Sequence, residues 1–307
     1  MGKVLAICIS EKRGTQKSRV EAAEFVEDWG IKNDAHAGKW HRQVSLLSAE
    51  QVEDFRNKGA EVLDGAFGEN LVVEGFDFKN LPVGTIFKCN DVVLELTQIG
   101  KQCHSHCEIY KVMGDCIMPR EGVFTKVLHG GTIHVGDTLE AVDVLTAAVI
   151  TVSDKASRGE RKDLAGPTAV DILEKKGYHI AYTAVVPDEE EAIKAQLRRC
   201  ADDKNIQLII TSGGTGFSVR DVTPEATEAV CDRMAPGIAE AMRYESLKVT
   251  PKAMLSRAAA GIRGKSLIIN LPGSPKAVRE NLEAVIDTLA HGIRILNGSD
   301  GECGRIS

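Results

Sequence analysis

The 307-residue chain carries 43% hydrophobic and 27% charged residues, the balance of a soluble globular protein with room for two domains. Its formal net charge of −6 and pI near 5.8 exclude a general electrostatic attraction to nucleic acid or to an anionic membrane surface. An anionic ligand must therefore be held locally, by aimed N–H groups, a few basic side chains or a metal.

In chain order, the opening "MGKVLAICISEKRG" has a short apolar run without the long hydrophobic core or cleavage site of a secretory leader. Ala6 stands where a myristoylation signal needs Ser or Thr. No apolar run approaches the roughly 20 residues of a membrane helix. Eight cysteines in 307 residues are too dilute for a secreted disulfide scaffold, so a cytoplasmic protein with reduced thiols is expected.

Residues 1–143 read as short strands: "KVLAICIS", "NLVVEG", "TIFKCNDVVLELTQIG" and "GVFTKVLHGGTIHVGDTLEAV", broken by Gly and Asn. One helix interrupts them, "SAEQVEDFRNKG", with Ser48 as N-cap, Gln51 three residues on and Gly59 as C-cap. The pattern predicts a small, mainly β barrel.

Within this half, "GKQCHSHCEIYKVMGDC" gathers three cysteines and two histidines. The residues leave several readings open: a zinc site, a disulfide, buried thiols acting as small hydrophobes, or a reactive thiol. Structural zinc sites favour two closely spaced ligand pairs separated by a longer loop, whereas Cys103 and Cys107 are four apart and Cys116 has no second ligand close by in sequence.

From residue 144 the rhythm changes to strand–helix alternation. "AAVITVS" is a buried-strand run, and "GPTAVDILEKKG" predicts a helix with Pro167 at its first position and Gly177 at its stop. "HIAYTAVV", the helix "DEEEAIKAQLRRCADD", "IQLIITS", two helical stretches, "KSLIINLP" and a closing helix over Ser274–Leu296 follow. Residues 144–307 are thus predicted to be an α/β domain with a mostly parallel sheet.

The most informative stretch is "IITSGGTGFSVRDVTPEAT". A buried strand ends at Ser212, and Gly213, Gly214, Thr215 and Gly216 form a turn whose N–H groups can point at one anion. Thr223 is placed as N-cap and Pro224 at the first helical position, bringing a positive helix end nearby. A ligand-free strand-to-helix turn is the plain alternative. "NLPGSPKAV" is a second such turn, with Gly273, Ser274 as N-cap, Pro275 at the first helical position and Lys276 as a basic group. "SDKAS" ends the first strand of this domain, which makes Ser153, Asp154 and Ser157 candidates for contacts at the sheet's carboxyl edge.

This half resembles the molybdopterin adenylyltransferase (Mog/MoaB) family. The matching pieces are "VSDKASRGERKDLAGP", "VPDE", "TSGGTGFSVRDVTPEA", "LSRAAAGIRGKSLIINLPGSPKAV" and "HGI". The resemblance implies an enzyme of molybdenum cofactor biosynthesis that binds ATP and molybdopterin as substrates. The terminal phosphate of molybdopterin attacks the α-phosphorus of ATP, pyrophosphate leaves, and Mg2+ is held by Asp188 of "VPDE" and Asp221 of "RDVTPEA" as catalytic carboxylates. Each has a structural alternative: Asp188 as the N-cap of the next helix, with Glu191 three residues on, and Asp221 paired with Arg220. Family membership also implies a homo-oligomer, a trimer.

The first half resembles a MOSC domain, the β-barrel module named for the C-terminal part of molybdenum cofactor sulfurases. The pieces are "GIKNDAHAGKWHRQVSLLS", "FGENLVVEG", "LPVGTIFKC", "ELTQIGKQCHSHCEIYKVMGDCIMPREGVF" and "VGDTLE". The resemblance places the family's cysteine at Cys103 and implies that it carries sulfur or ligates molybdenum, with Lys101, His104, His106, His36 and Arg120 as available basic groups. It implies sulfur-donor or molybdenum-insertion proteins as partners. A carrier or sensor that binds molybdopterin without turning over ATP, tungsten in place of molybdenum, and a redox or zinc protein are the alternatives. The tail "GSDGECGRIS", with Cys303, reads as frayed.

Overall fold

A computed structural model describes residues 1–13, 15–59, 62–101 and 116–298, and the chain divides into two compact units, Met1–Asp143 and Val144–Ser307. Cys103, His104, His106, Cys107 and Cys303 lie outside the described residues. Among the described residues, no helix is long and apolar enough to cross a membrane.

The first unit is built from β1 (Gly2–Ile9), β2 (Ser18–Val20), β3 (Ala22–Val26), β4 (Gly30–Ile31), β5 (Val44–Ser48), β6 (Leu71–Val73), β7 (Ile86–Cys89), β8 (Val92–Ile99), β9 (Val123–His129), β10 (Gly131–His134) and β11 (Thr138–Ala141). Seven of them close a ring in the order β11-β7-β8-β9-β5-β6-β1, with β1 pairing back onto β11. Of these pairs only β5–β6 is parallel. β10, β3 and β4 form a small separate sheet.

Alternation explains the barrel core: Val92, Leu94 and Leu96 of β8 are buried with Phe87, Val123 and Val127, and their sequence neighbours face the other way. β1 serves two clusters because its pairing with β6 shifts register between Val4 and Ala6. Val4 and Ile7 join the barrel core, whereas Ala6 and Cys8 pack with Val52 and Phe55 of α1 (Ala49–Asn57). Ser48 does occupy the N-cap position, but its hydroxyl donates to Glu50 Oε2 at 2.6 Å and accepts no helix N–H. The capping box expected with Gln51 is therefore absent, and Gly59 follows the C-cap residue Lys58 at φ +92°.

The second unit contains β12 (Thr146–Val152), β13 (His179–Val186), β14 (Leu208–Ser212), β15 (Arg233–Met234), β16 (Ala260–Arg263) and β17 (Ser266–Leu271) in one sheet ordered β13-β12-β14-β17-β16-β15. The pairs β12–β13, β12–β14 and β14–β17 are parallel; β16–β17 and β15–β16 are antiparallel. The longer helices cover both faces. Ala147, Val149, Leu208, Ile210, Leu267 and Ile269 pack against Ala165–Lys175, Pro236–Leu247 and Pro275–Leu296. Ala148, Ile150, Ile209 and Ile268, one residue out of phase, pack against Glu190–Arg198 and Thr223–Val230. Burial on both faces is why these strands read as unbroken apolar runs.

Helix starts differ from expectation in three places. The helix expected to begin at Pro167 begins at Ala165, because Asp163 Oδ1 accepts the amides of Ala165 (3.0 Å) and Gly166 (3.1 Å). The helix after "VPDE" begins at Glu190 with Glu189 as its cap residue, so Asp188 is not its N-cap. Thr223 is the first helical residue and Val222 the cap, because the Thr223 amide is already bonded to the carbonyl of Gly214 at 3.1 Å.

In the first unit a buried polar hub joins distant segments. The Asp34 carboxylate accepts from Lys17 Nζ (2.9 Å), Asn70 Nδ2 (3.0 Å) and the Ser10 amide (3.1 Å). Burial pushes Asp34 upward, but the His36 ring 3.8 Å away, the Lys17 charge and the bonds from Asn70 and Lys17 outweigh it and hold the group well below the usual carboxylate range. Nearby Glu69 is fully buried; burial outweighs its backbone N–H partners and pushes it up to about 7. Raised above its unfolded value, Glu69 keeps a proton in the folded state that the unfolded chain has lost. The first unit therefore loses stability as pH rises from the ordinary carboxylate range through about 7. Glu69→Gln is expected to remove that loss, stabilising by on the order of 2 kcal/mol at alkaline pH and by little in acid. Both tryptophans of the chain, Trp29 and Trp40, lie in this unit, so fluorescence-detected denaturant unfolding reads it directly. A variant that keeps the parent's pH dependence would refute this reading.

Candidate active site at the carboxyl edge of the second sheet

Because β12, β13, β14 and β17 run parallel, their carboxyl ends and the turns after them share one edge of the sheet. Sheet order places β13 and β14 on opposite sides of β12, so the chain reverses its direction of travel there, the usual location for a ligand in open α/β sheets.

The turn after β14 is shaped by glycines for which no other residue fits. Gly213 has φ +110°, and a Cβ there would sit 2.2 Å from the Val152 carbonyl oxygen. Gly214 has φ +65°, and its Cβ would sit 2.3 Å from Thr223 Oγ1 and 3.4 Å from Asp188 Oδ1. Gly213 donates to the Leu271 carbonyl at 3.0 Å, and Gly273 of the neighbouring turn packs on it so closely that a Cβ would lie 3.3 Å from Gly213 Cα. Past that anchor, the amides of Gly214, Thr215, Gly216 and Phe217 donate to no acceptor among the described residues. The Ser212 and Thr223 hydroxyls are fully buried beside the turn, also without a hydrogen-bond partner. Buried polar groups are normally satisfied, so the Ser212 and Thr223 hydroxyls, beside amides without a protein acceptor, make this turn the candidate place for an acceptor-rich ligand.

Both predicted carboxylates border the turn. Asp188 Oδ1 lies against Gly214, and a Cβ on Gly216 would come within 2.9 Å of Asp221 Oδ2. Asp188 and Asp154 exchange bonds: the Asp154 amide donates to Asp188 Oδ2 (2.7 Å) and the Asp188 amide to Asp154 Oδ1 (3.1 Å). Burial first, then the charges of Asp154 and Asp221, push the Asp188 carboxyl up. Asp221 does not pair with Arg220; it accepts the Ser218 amide at 2.9 Å. Arg220 instead grips Asp154 through Nε (3.1 Å) and Nη2 (2.9 Å), which pulls Asp154 below its ordinary value.

Two clefts flank the glycine turns. One, of about 320 Å3, is lined by Ser153, Arg161, Lys162, Ser212, Gly273 and Ser274. The other, of about 300 Å3, is lined by Thr215, Gly216, Arg243, Ser246, Lys252 and Asn281. Ser246 adds another buried hydroxyl without a partner. A larger cavity of about 570 Å3 opens along β13 beside Val170 and Glu174, away from the glycine turns.

Among the other predicted residues, Ser153 and Ser274 use their hydroxyls as helix caps, accepting from Ala156 (3.3 Å) and Ala277 (3.2 Å). Pro275 opens its helix as expected, and Pro224 is buried in the first turn of its own. Ser157 turns back onto the Asp154 carbonyl at 3.0 Å. Lys276 is exposed, 3.7 Å from Glu280, and lines neither flanking cleft. Sequence reasoning gave no role to Arg161 and Lys162, although they lie within "VSDKASRGERKDLAGP", nor to Arg243, Lys252 and Arg257. The Arg257 guanidinium bonds the carbonyls of Gly216 and Asp221 and the Glu225 carboxylate. Its signal was its place in "LSRAAAG", inside a matching segment without a role of its own.

Each of the two units is similar to known proteins. A family model described as a probable molybdopterin binding domain matches residues 148–291, and a MOSC domain model matches residues 33–140. The molybdopterin adenylyltransferase of Helicobacter pylori (strain ATCC 700392 / 26695) is 43% identical over 170 residues, 55% of this chain and 90% of the relative. That of Haemophilus influenzae is 44% identical over 147 residues, 47% of this chain and 74% of the relative. A solved molybdopterin biosynthesis enzyme, MoaB of Thermus thermophilus, is 47% identical, covers 50% of this chain and 98% of its own, and superposes with a TM-score of 0.49. Through its second unit, preceded by a MOSC domain, the chain belongs to the molybdopterin adenylyltransferase family.

Proposed function

We propose that the second unit adenylylates molybdopterin at the carboxyl edge of its sheet. An oxygen of the molybdopterin phosphate forms a bond to the α-phosphorus of ATP, the bond from that phosphorus to the bridging oxygen breaks, and pyrophosphate leaves with the electron pair. The observation that carries this reading is the run of unpartnered amides from Gly214 to Phe217 beside the buried hydroxyls of Ser212 and Thr223. Two phosphorylated substrates repel each other. The residues needed are those that neutralise and align, and no protein nucleophile is required. The flanking clefts give each substrate a side, with Arg161 and Lys162 on one and Arg243 and Lys252 on the other.

The residues present suit Mg2+. Asp188 is held up by burial and by two neighbouring carboxylates, a repulsion that a divalent cation relieves. Among the described residues no group of three or more His, Cys, Asp or Glu side chains forms a metal cage. This suits an ion that takes one or two carboxylates and completes its shell with phosphates and water. Asp188 and Asp221 would hold it, and it would neutralise charge on the ATP phosphates.

For the first unit, we propose that Cys103 carries sulfur or contacts molybdenum. Burial pushes the Cys8 thiol up to about 12 and that of Cys89 to about 11, so neither supplies a thiolate near neutrality. The resemblance to MOSC domains is what supports assigning that chemistry to Cys103. Self-association is also proposed for the second unit. Tyr244, Leu247, Val249 and Met254 are exposed apolar side chains close together in sequence.

Asp188→Asn and Asp221→Asn are each expected to lower pyrophosphate release from ATP and molybdopterin by about a hundredfold or more while leaving thermal melting near the parent's. Parent-like turnover in either variant removes that residue from the site. Molybdopterin binding by the parent chain without pyrophosphate release would instead establish a carrier. Thiol labelling should lose its fast phase in Cys103→Ser, and an unchanged fast phase refutes the thiol assignment. Sedimentation should give a trimer that Tyr244→Glu dissociates; a parent chain that sediments as a monomer refutes self-association.

A further inference from the structure

The glycine turn has free N–H groups, but glycines alone do not aim them. A trans peptide unit points its carbonyl and the following N–H in opposite directions. Three carbonyls of this loop are drawn to a single residue. The Arg257 amide donates to the Thr215 carbonyl (2.9 Å), its Nε donates to that of Gly216 (2.7 Å), and its Nη2 bonds that of Asp221. The N–H groups that must then face away from Arg257 are those of Gly216, Phe217 and Val222. None of the three has an acceptor among the described residues. The remaining guanidinium nitrogen, Nη1, meets the Glu225 carboxylate in the first turn of the helix over Thr223–Val230, fixing the fork at its far end.

We propose that Arg257 is a positioning residue of the phosphate site. By holding the carbonyls of Gly216 and Asp221 on one side of the loop, it turns the Phe217 and Val222 amides toward the anion without touching the anion itself. The inference rests on the phosphate-binding reading of the turn and extends it to a residue remote in sequence. Only a planar fork reaches two carbonyls and a carboxylate at once, so lysine is a poor substitute. Arg257 of "LSRAAAG" and Glu225 of "TPEA", far apart in sequence, thus share one task.

The test is calorimetric titration of the full chain with inorganic pyrophosphate. Arg257→Ala is expected to weaken binding about tenfold or more. Millimolar guanidinium should recover part of the loss, and Arg257→Lys should recover less than the parent's affinity. Parent-like affinity in Arg257→Ala, or a loss that guanidinium does not touch, overturns the proposal. If Arg257→Ala does not fold, Arg257→Lys decides: unchanged pyrophosphate affinity there overturns it. A parent chain that fails to bind pyrophosphate also overturns it. A parent that binds pyrophosphate but releases none from ATP and molybdopterin removes only the proposed reaction.

Discussion

The proposed site depends on one constraint: after Ser212 the backbone must keep the N–H groups of Gly214, Thr215, Gly216 and Phe217 free of protein partners, in a turn that runs from the buried Ser212 and Gly213 out to the exposed Phe217. Amides paired in neither a helix nor a strand give the turn no regular hydrogen bonding of its own, so its shape must be set by its surroundings. Gly213 is pinned to Leu271 and pressed against Val152 and Gly273, Gly214 is wedged against Thr223, and Arg257 holds the carbonyl side. In the proposed function an anion would fill these donors, which would couple loop geometry to ligand affinity.

Charge around that turn follows a related logic. A chain of net charge −6 brings three carboxylates, Asp154, Asp188 and Asp221, to one edge and neutralises only one of them internally, through Arg220. The Arg220 fork on Asp154 also steadies Asp188, because Asp154 and Asp188 hold each other's amides. Asp188 is left with unfavourable burial and two like-charged neighbours, a strain that a cation would release. Acidic side chains and amides without protein acceptors are thus adjacent without cancelling, an arrangement suited to the proposed phosphoryl-group chemistry.

The barrel unit handles buried charge differently. Asp34 is saturated by Lys17, Asn70 and Ser10, a closed network that links segments far apart in sequence. Glu69, the residue before Asn70, is buried and carries an unpartnered Oε2, so its proton takes the place of a partner. The buried cysteines Cys8 and Cys89 are small hydrophobes with raised thiols, which separates structural sulfur from the segment bearing Cys103.

How much of this was legible in the sequence follows from the range of the interactions involved. Alternation in β8, the unbroken apolar runs of β12, β14 and β17, and the glycines at positions 213, 214 and 273 are local, and each declares its strand or turn without tertiary help. The position of Asp188 and Asp221 at the sheet's carboxyl edge, beside the glycine turn, was likewise readable from their place in the motifs. Helix starts were not: Asp163, Glu189 and Val222 set them, since Thr223 and Asp188 were already engaged by Gly214 and Asp154 from other segments. Nor could sequence assign Arg220 to Asp154, 66 positions away, over its neighbour Asp221. It could not join Arg257 to a loop 36 positions earlier. Local chemistry fixed which residues can turn, span or cap; only the folded sheet, by carrying four strand ends to one edge, decided which of them meet.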